Sequence, residues 1–316
     1  MVIRFFYFLV FFLGTAQVYA ATDLWSDIND AKLATQKLNY QGIVQSVNEK
    51  QDINVLKLTH ANFQNQEYVK IEKVEGDKAE LLLLNSDATI YQEQDDRVLI
   101  QKKQNNHLFP NIFTGDLEQI KQNYNLSQGS ETFIANRKAM LYVLNPKDNY
   151  RYFYHLWLDV ENNLPLKLTV VSPDKKLVEN ISFAEIQFLQ SKDLNWFRPK
   201  SVNNKSYDLI ESSQVSQIAP RLFKVTKSTF GFKEVEYLAK RMPGLNVQSQ
   251  QLILTDGLNY VSIYIHPISR NQKPQSGQIQ KNNSNIIALY KDGYQLMAVG
   301  KVPFETLEML TEAINF

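Results

Sequence analysis

The sequence contains no cysteine, and this absence excludes several classes of protein. A disulfide framework is impossible, so burial of apolar side chains must stabilise the core by itself. A lipoprotein anchor is excluded too, because it requires an acylated cysteine. The chain has four histidines without a pair at metal-ligand spacing, no phosphate-binding glycine loop and no nucleophile elbow. We therefore predict no catalytic residue, no metal and no cofactor, and favour a binding or regulatory protein over an enzyme.

Long hydrophobic runs are also scarce, and the one near the start is short. Arg4 precedes an apolar run at residues 5–13, and small residues follow up to Ala20. This layout is typical of a secretory signal peptide, whereas a transmembrane helix needs roughly 20 apolar residues. We expect residues 1–20 to be removed by cleavage after Ala20. The mature chain is then expected to be a soluble periplasmic protein of a Gram-negative bacterium.

Charge is nearly balanced over the whole chain but is unevenly distributed. Residues 21–100 contain 8 Lys and Arg against 14 Asp and Glu, whereas residues 101–316 contain 25 against 19. The densest basic stretch is 198–241, with nine basic and four acidic residues. A solvated basic face or two domains with different partners would both explain this distribution. Because export is expected, we predict that nucleic acid is not a partner.

The residues after the signal peptide predict one helix and then a long antiparallel sheet. Residues 22–38 have the apolar spacing of an amphipathic helix, which Thr22 or Asp23 can cap. The apolar period then changes to two over a succession of short segments separated by polar turns. A second short helix is predicted at 115–124, with Asp116 as its cap. We assign residues 21–200 to this N-terminal domain.

The segment YRYFYHLWLD, residues 150–159, would be aromatic on both faces of a strand. The alternation places Tyr152 and Tyr154 on one face, and Phe153 and Trp157 on the other. One interpretation is a strand packed between a core and a covering helix. The other is a curved sheet whose concave side holds an apolar guest. For the second interpretation, the candidate lipid-binding residues are Tyr152, Tyr154 and Trp157. Because side chains alternate along a strand, Trp157 cannot share a face with the two tyrosines.

A change in composition predicts a domain boundary after residue 200. Residues 201–220 are polar, rich in Ser and Gln and without sustained periodicity, which is typical of an interdomain linker. We expect few contacts to cross between the two domains. Residues 221–316 then form a smaller C-terminal domain.

The C-terminal domain carries two strong hairpin signals and a closing helix. Asp256-Gly257 and Asp292-Gly293 each lie between two apolar runs. The polar segment 269–285 between these hairpins is expected to be a loop. A final helix is predicted to begin at Pro303.

The strand that follows Gly257 has two different faces. Val261, Ile263 and Ile265 suit a core, and the alternating side chains suit either a partner or a position under the closing helix. Basic side chains that lie after residue 197 are further candidates for contact with a partner. The candidate partner-binding residues are Arg198, Lys200, Arg221, Tyr260, Tyr264 and His266.

Six segments occur in an order that is characteristic of one family. They are LNYQG (38–42), LTHANF (58–63), YRYFYHLWLDVENNLPLKLTVV (150–171), SFAEIQF (182–188), GFKEV (231–235) and LTDGLNYVSIYI (254–265). Together they resemble the MucB/RseB family, periplasmic negative regulators of the sigma-E (AlgU-type) envelope-stress response. The likeness is collinear over essentially the whole mature chain.

This resemblance implies a fold and a partner. The implied fold class is α+β, with an N-terminal domain similar to the lipoprotein carriers LolA and LolB, a curved antiparallel sheet wrapped around helices. A smaller mixed α/β domain follows it. The implied partner is the periplasmic segment of a RseA/MucA-type anti-sigma factor, which the protein would shield from site-1 proteolysis. Lipopolysaccharide or another acylated lipid would release it.

Two other functions and the oligomeric state stay open at this stage. A periplasmic lipid or lipoprotein carrier would use the N-terminal sheet, but such a carrier needs no second domain. A hydrolase of envelope components has only the exported location in its favour. The sequence does not distinguish a monomer from a homodimer.

Overall fold

The structure is a computed structural model of the protein. It describes residues 23–85, 87–94, 97–104, 108–190, 193–200, 206–210, 215–216, 220–241, 248–268, 273–281 and 283–316. The expected signal peptide, residues 1–20, lies outside the described residues. In the described part of the chain, no helix is both long and apolar enough to cross a membrane.

Helices begin where the sequence places capping residues. They are α1 (Leu24–Lys37), α2 (Leu117–Asn123), α3 (Phe304–Glu312) and a single 3₁₀ turn at Leu194–Phe197. The side chain of Asp23 accepts a hydrogen bond from the Trp25 backbone N–H at 3.1 Å, and Asp116 caps α2 in the same way. The third helix starts directly after Pro303. All three predicted helices are therefore confirmed.

The N-terminal domain is built on one large sheet. Its described strands are β1 (Tyr40–Asn48), β2 (Ile53–Phe63), β3 (Gln66–Lys73), β4 (Ala79–Leu84), β5 (Asp87–Gln94), β6 (Arg97–Gln104), β7 (Tyr124–Ile134), β8 (Arg137–Pro146), β9 (Phe153–Asp159), β10 (Pro165–Val171), β11 (Leu177–Phe188) and β12 (Ser206–Ile210). Their order across the sheet is β12-β6-β5-β4-β3-β2-β1-β11-β10-β9-β8-β7. Every neighbouring pair is antiparallel except β12 with β6.

Helices α1 and α2 cover one face of this sheet. The main core lies between these helices and the sheet. Ile28 and Ala31 of α1 and Ile120 of α2 are buried against side chains from β7 to β11. Along β9, buried and half-buried residues alternate, so Tyr154 and Leu156 point toward the helices. The curved sheet thus wraps around the helices, as the family resemblance implied.

The C-terminal domain is a smaller antiparallel sheet with one described helix. Its strands are β13 (Val215–Ser216), β14 (Lys224–Val225), β15 (Lys233–Arg241), β16 (Gln248–Thr255), β17 (Tyr260–Pro267), β18 (Gly277–Lys281), β19 (Ser284–Lys291), β20 (Tyr294–Gly300) and β21 (Ile314–Asn315). Seven of them form a sheet in the order β13-β15-β16-β17-β20-β19-β18, and β14 pairs with β21. The predicted α+β class, with a large sheet domain followed by a smaller one, is confirmed.

Helix α3 packs on one face of the seven-stranded sheet. Leu307 and Leu310 are buried with Val261, Ile263 and Ile265 of β17 in a single apolar cluster. The predicted hairpins are present, with β16–β17 joined through Asp256-Gly257 and β19–β20 through Asp292-Gly293. The expectation of a loop over 269–285 is wrong in part, because Gly277–Lys281 forms β18 and pairs with β19.

The segment between the domains is attached to the N-terminal sheet. Lys70 of β3, only 1% exposed, donates to the backbone carbonyl of Arg198 at 3.0 Å. The backbone N–H of Lys200 donates to Glu80 at 2.8 Å. A few residues later, Ser206–Ile210 adds to the sheet edge as β12. Part of the predicted linker 201–220 is thus regular structure.

Candidate functional site

The two domains meet around a buried arginine. Arg151 is 0% exposed, and its Nε donates to Asp256 Oδ2 at 2.9 Å. Its two terminal nitrogens donate to Asp148 and to the carbonyl oxygen of Phe230. The guanidinium also lies over the ring of Phe232, 4.9 Å from its centroid. Arg151 therefore joins the start of β9 to two different segments of the C-terminal domain.

Asp256, the acceptor of this pair, is also 0% exposed and is fully engaged. Its Oδ1 accepts from the backbone N–H groups of Leu258 at 3.0 Å and Asn259 at 2.7 Å. Its backbone carbonyl accepts from Asn123 of α2 at 3.0 Å. A buried carboxylate is tolerated only when it is paired and hydrogen-bonded, and this one is both.

The expectation of few contacts between the domains is therefore wrong. Besides the Arg151–Asp256 pair, Gln119 donates to the carbonyl of Thr255 at 2.7 Å, and the Tyr154 hydroxyl donates to Asn259 at 2.6 Å. The composition of residues 201–220 could not reveal these contacts, because they join residues more than 100 positions apart.

An apolar cavity of about 110 Å³ lies beside this junction. The walls from the N-terminal domain are Phe109, Ile112, Tyr152, Tyr154, Leu168, Val170, Val178 and Ile181, and those from the C-terminal domain are Leu258 and Asn259. Glu179, Asn283 and Lys301 form a polar rim. This volume is below the roughly 150 Å³ of an engineered apolar cavity that binds benzene.

The structure brings two of the three candidate lipid-binding residues together. Tyr152 and Tyr154 line the cavity, and burial raises the pKa of the Tyr152 hydroxyl to about 12. Trp157 lies on the opposite face of β9, where the ammonium group of Lys167 sits 4.6 Å from its ring centroid. Trp157 is therefore not part of this cavity, in agreement with the period of two along the strand.

A lysine at the cavity rim was missed by the sequence analysis. Lys301 follows β20, is 56% exposed and lies 3.4 Å from Glu179 of β11. Asn283 donates to the other carboxylate oxygen of Glu179 at 2.8 Å. These contacts link the two domains beside the cavity mouth. Only the pairing of distant strands places Lys301 here, and no local sequence signal indicates it.

A wider open groove, about 630 Å³, continues from this rim along the N-terminal sheet. Glu179 and Asn283 border both spaces. Its floor contains aliphatic side chains from adjacent strands, namely Leu56, Ile71, Leu81 and Ile90. Ile71, Leu81 and Ile90 are directly paired across β3, β4 and β5. The groove thus combines an aliphatic strip with polar lining residues.

The predicted basic residues do not line this cavity. Lys200 donates to Glu72 of β3 at 2.8 Å, on the segment that is attached to the N-terminal sheet. Arg198 is exposed on the same segment. Arg221 pairs with Glu234 at 2.7 Å and lies over the ring of Phe223. Of the basic side chains named here, none lines the cavity, whereas Lys301 does.

The ion cluster around Glu72 gives a pH-dependent contribution to stability. Burial by itself would raise the pKa of the Glu72 carboxyl, but the hydrogen bond from Lys200 and the charge of Lys70 lower it below the ordinary 4.5. A lowered folded-state pKa stabilises the protein above the unfolded-state pKa, and the contribution is lost as the pH falls through the folded-state value.

We therefore expect Glu72→Gln to destabilise the protein at pH 7, and to destabilise it progressively less as the pH falls below the ordinary glutamate pKa and through the lowered folded-state pKa. Urea unfolding at several pH values measures the difference. Glu75→Gln, in an exposed turn, is the matched control and should have a small effect throughout. A constant difference between wild type and Glu72→Gln over this range would contradict the assignment.

The predicted partner-binding strand also has the two faces that its sequence indicated. Tyr264 and His266 are half-buried and point away from α3, so the alternative position under the closing helix is wrong. Tyr260 is half-buried on the same face. The Tyr264 hydroxyl accepts from Gln251 at 3.2 Å. Burial lowers the pKa of His266, which favours the neutral ring.

Half-buried apolar side chains surround Tyr264. Residues directly opposite one another in antiparallel pairs share a face, and Tyr264 is opposite Met297, which is itself opposite Ala288. The residues of this surface, which we call the open face, are Ile253, Tyr264, Ile286, Ala288, Met297 and Val299. The described helix of this domain packs on the other face. In addition, His266 Nδ1 is buried without a hydrogen-bond partner among the described residues.

Among the described residues, no group of three or more His, Asp or Glu side chains could hold a metal ion. The features that a ligand or partner could use are an apolar cavity at the domain junction and an open, largely apolar face on the smaller sheet, and these are features of a two-domain binding protein.

Comparison with protein families identifies this class of protein. The model of the MucB/RseB N-terminal domain matches residues 23–215, and that of the MucB/RseB C-terminal domain matches residues 217–315. The chain belongs to the MucB/RseB family, as its sequence motifs predicted. This is a family of regulatory binding proteins rather than of enzymes.

Named relatives and solved structures agree with this assignment. The sigma-E factor regulatory protein RseB of Escherichia coli (strain K12) is 22% identical over 293 residues, which cover 92% of this chain and 89% of that protein. The sigma factor AlgU regulatory protein MucB of Pseudomonas aeruginosa is 24% identical over 63% of each chain. A crystal structure of MucB in complex with MucA(peri) matches with a TM-score of 0.71 and 18% identity, covering 93% of this chain and 98% of that one.

Proposed function

We propose that this protein is a periplasmic negative regulator that binds the periplasmic segment of a RseA/MucA-type anti-sigma factor. Binding shields that segment from site-1 proteolysis and keeps the sigma-E stress response repressed. Membership of the MucB/RseB family supports this function. The observation that carries it is the open face, since a largely apolar surface on a small sheet is typical of a protein-binding site.

The open face has the composition of a binding surface. Tyr264 offers a large rigid ring with a polar tip, the type of residue that dominates binding energy. Met297 is an adaptable apolar neighbour. Arg221 and the exposed Arg198 and Lys200 add positive charge elsewhere, which would steer an acidic segment.

A second element of the proposal is release by lipopolysaccharide or another acylated lipid. Tyr152 and Tyr154 line the apolar cavity, and Lys301 at its rim would form a charge-assisted bond with a lipid phosphate. About ten buried methylenes would contribute roughly 8 kcal/mol before ordering costs, comparable to the binding of a micromolar peptide. The 110 Å³ cavity is too small for such a chain, so the chain would also follow the open groove.

The experiment is a titration of the purified protein with the periplasmic segment of its anti-sigma factor. We expect a saturable complex that intact lipopolysaccharide dissociates and deacylated lipopolysaccharide leaves intact. If deacylated material releases the segment equally well, charge alone carries the signal and the cavity has no part in it. A homodimer, which the sequence left open, is measured in the same samples by light scattering.

The cavity also favours a second candidate function, a carrier of lipids or lipoproteins. A carrier would transfer its cargo between membranes and would not need the open face. Transfer of a labelled lipoprotein, without a stable complex with the anti-sigma segment, would favour the carrier.

A further inference from the structure

The tip of the β16–β17 hairpin belongs to the C-terminal domain but is buried in the N-terminal core. Leu258 at this tip is 8% exposed, and its apolar neighbours are those of the N-terminal cluster that contains Ile28, Phe113 and Tyr154. It also forms part of the wall of the 110 Å³ cavity. Leu258 therefore fills space that would otherwise enlarge this cavity.

Contact between the hairpin tip and the N-terminal domain is close enough to require glycine on both sides. A Cβ atom on Gly115 would lie 2.1 Å from the Gly257 carbonyl oxygen. A Cβ atom on Gly257 would lie 2.8 Å from Ile120 Cγ1, and Gly257 has a φ of +95°. Both side chains would collide with the opposite surface, so the tip is fitted to this position.

The remaining contacts of the tip are polar, so water can replace them. Asp256 is held by Arg151, and Asn259 accepts from Tyr154. A buried ion pair gives little net stabilisation, because both ions regain hydration when they separate. The apolar contacts of Leu258 are thus the main contribution that a competing apolar ligand would have to replace.

We propose that Leu258 is an internal plug of the N-terminal cavity, and that an aliphatic chain displaces it. Chain entry pushes the hairpin tip out of the N-terminal core. Strands β16 and β17, which carry the tip, also carry Ile253 and Tyr264 of the open face. Occupation of the cavity therefore reaches the partner-binding face through one hairpin. This inference rests on the proposed lipid site and adds the element that couples it to the partner.

The test uses the full-length protein, dodecanoate as the probe and glycerol phosphate as the headgroup control. Leu258→Ala removes the competing side chain, so we expect about ten- to hundredfold tighter binding of dodecanoate. Leu252→Ala is the matched control, because Leu252 is buried in the C-terminal core on the same hairpin. Equal affinity of Leu258→Ala and wild type would overturn the plug.

Two further measurements keep the proposal testable if the alanine variant does not fold. Gly115→Ala should push the tip away by collision with Gly257 and should also tighten dodecanoate binding while retaining the leucine. In the wild-type protein, dodecanoate should increase amide hydrogen exchange at residues 257–259. Binding of dodecanoate with unchanged exchange there would refute displacement.

These dodecanoate measurements do not include the anti-sigma segment, whose binding is measured in the separate titration described above. The inference and the proposed function can therefore fail independently. If dodecanoate leaves the tip in place but the segment still binds, the plug is wrong and the regulator stands. Failure of dodecanoate to bind both wild type and Leu258→Ala would reject the lipid site and the plug together.

Discussion

Replacing Arg151 with methionine is expected to lower the free energy of unfolding by about 3–5 kcal/mol. The change leaves Asp256 buried without its positive partner, and Phe230 loses the donor to its carbonyl oxygen. Removing one member of a buried ion pair costs far more than the pair contributes, because an uncompensated charge stays in a medium of low dielectric. Urea unfolding followed by tryptophan fluorescence measures the change.

The control for Arg151 is an arginine in an exposed pair. Arg221→Met removes the contact with Glu234, whose side chain is 40% exposed, and should cost no more than about 1 kcal/mol. The double variant Arg151→Met with Asp256→Asn should be more stable than Arg151→Met alone, because no buried charge remains without a partner. Similar losses for Arg151→Met and Arg221→Met would contradict the expected cost of leaving the Asp256 charge buried without a partner.

The second large effect is expected on binding. Tyr264→Ala should weaken the complex with the anti-sigma segment by about thirtyfold, since a central aromatic residue of an interface is worth about 2 kcal/mol or more. The melting temperature of Tyr264→Ala should change little, because the ring is only half-buried and points away from α3. Titration calorimetry and thermal unfolding of the same sample measure the two quantities.

The adjacent residue provides the matched control. Ile263 is 0% exposed and points toward α3, so Ile263→Ala should lower the free energy of unfolding by about 2–5 kcal/mol. The two variants should therefore separate binding from stability at neighbouring positions of one strand. A large fall in melting temperature for Tyr264→Ala, with unchanged affinity, would assign this tyrosine to the core.

Local signals in the sequence were sufficient to predict most of the elements. Asp23 and Asp116 precede the first two helices because their side chains satisfy free N–H groups. Asp256-Gly257 and Asp292-Gly293 mark hairpins because the turn requires a positive φ, which glycine adopts readily. The alternation along β9 correctly separated Trp157 from the two tyrosines.

Features that depend on distant residues could not be predicted in this way. Gly277–Lys281 is too polar to indicate a strand, and it forms β18 because β19 offers an edge. The parallel pairing of Ser206–Ile210 with β6 joins segments about a hundred residues apart. Leu258 looks like an ordinary turn residue, and only docking of the domains buries it. Lys301 likewise lies beside Glu179 only because the two domains dock.

Protection of the anti-sigma segment from proteolysis tests the central claim most directly. The periplasmic segment is incubated with the site-1 protease in the absence and presence of this protein, and the rate of the first cleavage is measured. We predict that stoichiometric protein slows cleavage strongly, that Tyr264→Ala protects poorly, and that intact lipopolysaccharide restores cleavage. Cleavage at the same rate with and without the wild-type protein would contradict the account.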